Sequence, residues 1–162
     1  MRAALLEPTA AVLPTVHAAQ SVEIVAGSGE RLRALAFDDG SSEAGQLALW
    51  VASVPTDYAD QPATLRLAWD AELADGGAVR WSVGLRSLET SIALSAAHAY
   101  AFDAAAATVT TTPAAPTYSS VALASAALTA GVALVVIVRR DSGHAADTLA
   151  GRARLLMAEL LW

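Results

Sequence analysis

The sequence has no cysteine, and its ten basic residues are all arginine, so lysine is missing as well. Without cysteine there are no disulfides, no thiolate metal sites and no cysteine nucleophile. The redox compartment is left open, and a protein of this kind that works outside a cell depends on oligomerisation or docking for its toughness. Aromatic residues make up 6% of the chain and charged residues 16%, with a formal net charge of −6. The longest basic run is Arg139-Arg140. A phosphate-led nucleic-acid surface needs the opposite balance on at least one face, so nucleic acid is not an expected partner. The absence of lysine, together with an alanine content of about a quarter, matches the bias of a GC-rich genome.

Long uninterrupted apolar runs are also scarce. Val121 to Val138 is nearly uncharged, but Gly131 separates an Ala/Ser/Thr-rich half from a β-branched half. Two strands around the turn Leu128-Thr129-Ala130-Gly131 fit this segment better than a membrane span. At the N-terminus, Glu7, Pro8 and Pro14 interrupt what would otherwise resemble a signal peptide, so residues 1–20 read as an extended arm. No linker or fixed-period repeat divides the remainder. Residues 21–162 are therefore expected to form one domain, with 55% apolar residues available for its core.

What is plentiful is strict alternation. Leu65, Leu67 and Trp69 share one face of Ala63 to Trp69, with Arg66 on the other. Val79, Trp81, Val83 and Leu85 oppose Arg80, Ser82, Gly84 and Arg86. A period of two is the signature of a strand covered on one side. The intervening Asp75-Gly76-Gly77 is a turn signal, and the two runs are expected to pair as a β-hairpin. Further strands are expected at Ser21 to Ala26, Arg31 to Phe37, Gln46 to Ser53, Thr108 to Thr112, Ser119 to Ser125, Val132 to Arg139 and Arg152 to Trp162. Ser91 to Ala107 has helical propensity, but the general excess of alanine discounts it, and a loop is expected there. The fold class that follows is all-β: a jelly-roll-like antiparallel sandwich of about eight strands.

Chemistry-bearing clusters are sparse. His17, His98 and His144 are isolated, and none has metal-ligand spacing. Asp38-Asp39, Asp57 with Asp60, Asp70 with Glu72, and Asp141 with Asp147 all lie at strand ends, where aspartate makes turn hydrogen bonds. No calcium-loop spacing, phosphate loop or nucleophile elbow is present. Catalytic residues, cofactors and metal ligands are therefore expected to be none. The four tryptophans carry more information. Trp69 and Trp81 are in phase with core residues. Trp50 is out of phase with Leu47, Leu49 and Val51, which makes it a candidate for an interface or a sugar surface, or a buried residue if both faces of that strand are covered. Trp162, after Leu160 and Leu161, is a second candidate interface residue and is expected to be docked.

Several segments in order, "DDG", "VPTDYAD", "ATLRLAWDAELADGGAVRWSVGLRSLE" and "LTAGVALVVIVRRDSGHAADTLAGRARLLMAEL", resemble jelly-roll virion proteins of tailed bacteriophages. The resemblance spans about Leu35 to Trp162 and is most specific at its ending, Arg139-Arg140-Asp141 and Asp147 to Gly151. That ending usually carries an acidic residue where Arg152 or Arg154 stands here. The resemblance implies a capsid decoration (cement) protein on the outer surface of a phage particle. Such a protein would bind the major capsid protein and itself, as a homo-oligomer such as a trimer, without nucleic acid or membrane. The alternative is a carbohydrate-binding module of a tail fibre or spike. A glycan-cleaving enzyme built on paired carboxylates is the least favoured reading.

Overall fold

The computed structural model describes residues 2–14, 17–25, 27–40, 46–73, 76–88, 102–108, 115–123 and 128–162. Among them, ten strands form: β1 (Ala3–Leu6), β2 (Gln20–Val25), β3 (Arg31–Phe37), β4 (Gln46–Ser53), β5 (Ala63–Ala71), β6 (Ala78–Ser87), β7 (Phe102–Thr108), β8 (Thr117–Leu123), β9 (Ala133–Arg140) and β10 (Ala153–Leu161). One sheet has six strands in the order β2-β3-β10-β5-β8, with β1 also paired to β10. The other has four, β4-β9-β6-β7. All pairings between these strands are antiparallel. The molecule is a jelly-roll-like sandwich with more strands than the sequence pattern counted.

The apolar sides of the two sheets face each other. Leu65, Leu67 and Trp69 of β5 meet Val79, Trp81 and Val83 of β6, and all six are buried. Trp69 and Trp81 touch edge to face with ring centroids 5.9 Å apart, and Phe37 stands edge-on to Trp81 at 5.1 Å. This corrects the expected hairpin. β5 pairs with β10 and β8, while β6 pairs with β9 and β7, so the segment between them crosses from sheet to sheet. Alternation reports which face is buried but not which strand lies alongside. Two strands with one strongly apolar face each bury more area by facing across the core than by lying side by side. The expected pair around Leu128 to Gly131 is split in the same way, with β8 in one sheet and β9 in the other.

Gly77 shows how the β5–β6 crossover is locked. A Cβ there would lie 2.5 Å from both the Leu149 Cα and the Thr148 carbonyl oxygen. The Thr148 and Leu149 amides donate to the Ala78 carbonyl, and the Ala78 amide donates to Thr148 Oγ1. Backbone therefore packs on backbone, and a methyl group has no room. Gly77→Ala is expected to cost about 1–3 kcal/mol, visible as a melting temperature lowered by several degrees in calorimetry.

The N-terminal segment is extended, as its prolines suggest, yet it is built into both sheets rather than standing off as an arm. β1 runs along β10, Trp50 Nε1 donates to the Glu7 carbonyl at 2.8 Å, and Val12 and Ala18 bridge to β4. On β10, a bulge between Leu155 and Met157 restores the packing phase. Leu155 and Leu160 are five residues apart and would face opposite sides of a regular strand, but both are buried. In the stretch read as a loop, residues 91–101 lie outside the described residues and 102–108 form β7. Residues 109–112 of the expected Thr-rich strand also lie outside them.

Candidate functional site

The strand-end aspartates are held mainly by arginine. Arg140, at the inward end of β9, is fully buried and spends its donors on five bonds. Its Nε and Nη2 hold the Asp147 carboxylate at 3.1 and 2.7 Å, and the rest reach the carbonyls of Phe37, Leu149 and Gly151. Asp147 also accepts from the Arg80 amide at 3.0 Å. Arg154 holds Asp70 in the same fork, Nε to Oδ1 at 2.8 Å and Nη2 to Oδ2 at 2.7 Å. Arg152 reaches Asp38 at 2.6 Å, and Arg80 reaches Asp141 at 3.1 Å. These bonds raise the Arg152 and Arg154 guanidinium pKa values above the ordinary arginine value. The turn-forming role expected of these acids is thus secondary to ion pairing. The all-arginine composition, read as genomic bias, was the available signal, because only the guanidinium fork grips a carboxylate with two parallel bonds.

Among the described residues, eight of the ten arginines have a carboxylate within 4 Å, and Arg33 and Arg86 do not. Arg33 is exposed to water, whereas Arg86 is only partly exposed. Its Nε and Nη2 are buried and have no acceptor among the described residues, and the same holds for Nε of Arg139. A buried donor left unsatisfied costs about 1–3 kcal/mol, and more when it is charged.

Both arginines lie on the outer face of the four-stranded sheet. Strand register arranges that face in rows: Leu47, Arg139, Ser82 and Ala104; then Leu49, Ile137, Gly84 and Phe102; then Val51, Val135 and Arg86. Neighbouring rows are about 7 Å apart along the strands. The middle of the face, at Ser82, Gly84 and Ile137, is buried. The Arg139 guanidinium lies over the Phe102 ring, 4.3 Å from its centroid. Its Nη2 is 3.8 Å from Asp141. The face therefore combines an aromatic ring and planar cationic side chains around a buried centre. Such a surface can stack on and hydrogen-bond a polar ring compound.

The two tryptophans singled out from the sequence are not on this face. Trp50 is only 1% exposed and points into the core, leaving Leu47, Leu49 and Val51 on the outside. Of the alternatives open for Trp50, burial is the one realised, so it is not an interface or sugar-facing residue. On an outer strand whose edge is overlaid by the N-terminal segment, small aliphatics can lie outside. Trp162 is docked, with its ring edge-on to Tyr58 and its backbone paired with Arg2. Together with Arg2, Pro55, Asp57 and Gln61 these rings line a cavity of about 140 Å³. Its polar groups already have partners: Arg2 binds Asp57 at 2.6 Å, and the Tyr58 hydroxyl donates to the Gln61 carbonyl at 2.6 Å. Burial, with Asp60 nearby, pushes the Tyr58 pKa up and keeps it a donor. Of the histidines, His144 accepts from the Ala146 amide, His17 is exposed, and His98 lies outside the described residues. No cluster able to hold a metal ion occurs among the described residues, and no described helix is long and apolar enough to cross a membrane.

No protein-family model matches the sequence, and no curated protein matches it significantly. Solved structures share the fold. The CBM22-1 xylan-binding domain of Paenibacillus barcinonensis Xyn10C superposes with a TM-score of 0.51 at 10% identity, covering 95% of this chain and 86% of its own. The K1 cleaved adhesin domain of Lys-gingipain from Porphyromonas gingivalis W83 gives 0.46 at 13% identity, covering 99% and 98%. A family 11 carbohydrate-binding module from Clostridium thermocellum gives 0.45 at 8% identity, covering 99% and 87%. The class so defined is an antiparallel β-sandwich, a fold shared with the xylan-binding domain. Nothing found ties the chain to a phage virion.

Proposed function

We propose that this chain is a non-catalytic carbohydrate-binding module whose ligand lies on the outer face of the four-stranded sheet. The observation that carries the reading is the stacked Arg139–Phe102 pair on that face, with Arg86 two rows from Arg139. Support also comes from the fold shared with a xylan-binding domain. A sugar ring offers apolar C–H faces for stacking and oxygen acceptors around its rim, and the face offers the complement of each. Phe102 supplies the stacking surface, Arg139 holds the ring and donates at its edge, and Arg86 donates one row further on. Binding of this kind needs no bond-making group, so the paired and structurally committed aspartates take no part.

Affinity electrophoresis in gels containing soluble polysaccharides tests the proposal. The wild-type chain should be retarded by at least one of xylan, mixed-linkage β-glucan and a set of uronate polymers. Phe102→Ala should weaken that binding about tenfold, equivalent to about 1.4 kcal/mol of lost stacking, without moving the melting temperature by more than a few degrees. Migration unchanged by every polysaccharide would end the glycan reading.

A further inference from the structure

We infer that the outer face of the six-stranded sheet carries a saccharide site of its own, with Tyr118 as the stacking platform for an oligosaccharide laid across the strands. The inference rests on the carbohydrate-binding reading and adds a second surface, on the opposite side of the sandwich from the first.

Strand register lays the site out. Tyr118 of β8 stands beside Ala68 of β5, and Ala68 beside Met157 of β10, in one row across three strands. Their neighbours Ser119 and Trp69 face the core, where Trp69 Nε1 donates to Ser119 Oγ at 2.8 Å, so Tyr118 and Ala68 face outward. Tyr118 is 62% exposed and is the one exposed aromatic side chain among the described residues. The Arg66 guanidinium lies 5.9 Å from its ring centroid and steadies the ring. Ser120, Arg66 and Glu159 form the next row on the same face, about 7 Å away. That row offers a hydroxyl, a guanidinium and the carboxylate paired with it, a set of donors and acceptors suited to sugar hydroxyls. Tyr118, Ser120 and Arg66 are all exposed, so a ligand reaches them from solvent.

At the Met157 end the sheet opens. β3 pairs with β10 only at Ala153, Arg154 and Leu155, and β1 pairs with it only from Ala158 to Leu161. The edge of β10 between them has no strand alongside. The gap is a cavity of about 390 Å³ walled by Leu5, Leu32, Leu156 and Met157, with Arg33 exposed beside them. Its size is that of a ligand pocket. Tyr118 and Met157 are two strand spacings apart, about 10 Å. The row therefore spans a short oligosaccharide rather than a single ring, with one end stacked on Tyr118 and the other entering the gap.

The test is equilibrium dialysis of the full chain against xylohexaose, a mixed-linkage β-glucan hexasaccharide and hexagalacturonate. At least one of them should bind at two per chain in the wild type, at one per chain in Tyr118→Ala and in Phe102→Ala, and not at all in the double variant. Tyr118→Phe, which keeps the ring, should still bind two. Because Tyr118 is exposed, neither of its substitutions should move the melting temperature by more than a few degrees. One saccharide per chain, lost in Phe102→Ala and unaffected by Tyr118→Ala, overturns the inference but leaves the glycan reading standing. Two per chain retained in Tyr118→Ala likewise overturns it. One per chain, lost in Tyr118→Ala alone, upholds this site and removes the ligand from the four-stranded sheet. Binding of no saccharide overturns the glycan reading itself, and this inference with it.

Discussion

Asp147→Ala should lower the unfolding free energy by about 3–5 kcal/mol, the loss expected when one partner of a buried ion pair is removed. Arg140 and Asp147 have side-chain exposures of 0% and 1%, so water cannot take over the abandoned charge. The loss also spreads. Asp147 accepts from the Arg80 amide, and Arg140 reaches the carbonyls of Phe37, Leu149 and Gly151, which join the six-stranded sheet, the 141–152 connection and the end of β9. Urea denaturation followed by tryptophan fluorescence measures the effect, because Trp69 and Trp81 lie in the core. A drop below about 1 kcal/mol would show that the loop holds itself without the pair. Asp57→Ala is the control: its partner Arg2 is 65% exposed, and exposed pairs contribute little.

Trp50→Ala should cost about 3–5 kcal/mol, as truncation of a large buried aromatic does. It should leave the glycan affinity of the molecules that remain folded unaltered. The side chain fills the inner face of β4, and its Nε1 is the anchor that fastens Glu7 and the N-terminal segment. Denaturation and affinity electrophoresis on the same preparation separate these effects. Weaker binding at an unchanged urea midpoint would place Trp50 on the ligand surface, against its 1% exposure.

Much of the strand pattern was readable from alternation. β4 occupies the expected residues, and β2, β3, β5, β6, β8, β9 and β10 lie within a few residues of theirs. Val79, Trp81 and Val83 announce a buried face because period-two hydrophobicity is a local property. Which strands are neighbours is not local. The Asp-Gly-Gly turn between β5 and β6 looks the same whether it closes a hairpin or a crossover, and only the packing of Trp69 onto Trp81 distinguishes them. β7 was obscured because helix propensity and strand pairing compete in an alanine run, and pairing with β6 decided the outcome. The candidate site was legible only in part. The alternation of β6 put Arg80 and Arg86 on one outer face. That Arg80 has found Asp141 while Arg86 lacks a carboxylate among the described residues depends on distances between segments some 60 residues apart. No composition or spacing encodes that difference.

The placement of β10 has a consequence for synthesis on the ribosome. It is the last strand in order, yet it is the one against which β1, β3 and β5 are laid. Until residues 153–161 have emerged, the six-stranded sheet exists only as separate pieces with open backbone edges. β5, which can pair earlier with β8, must wait some 80 residues for β10, and β1 some 150. Long-range closure of this kind slows folding and leaves strand edges open to other chains. A nascent chain stopped before Ala153 would thus be a client for holding chaperones rather than a smaller folded domain. The fold is committed late and all at once.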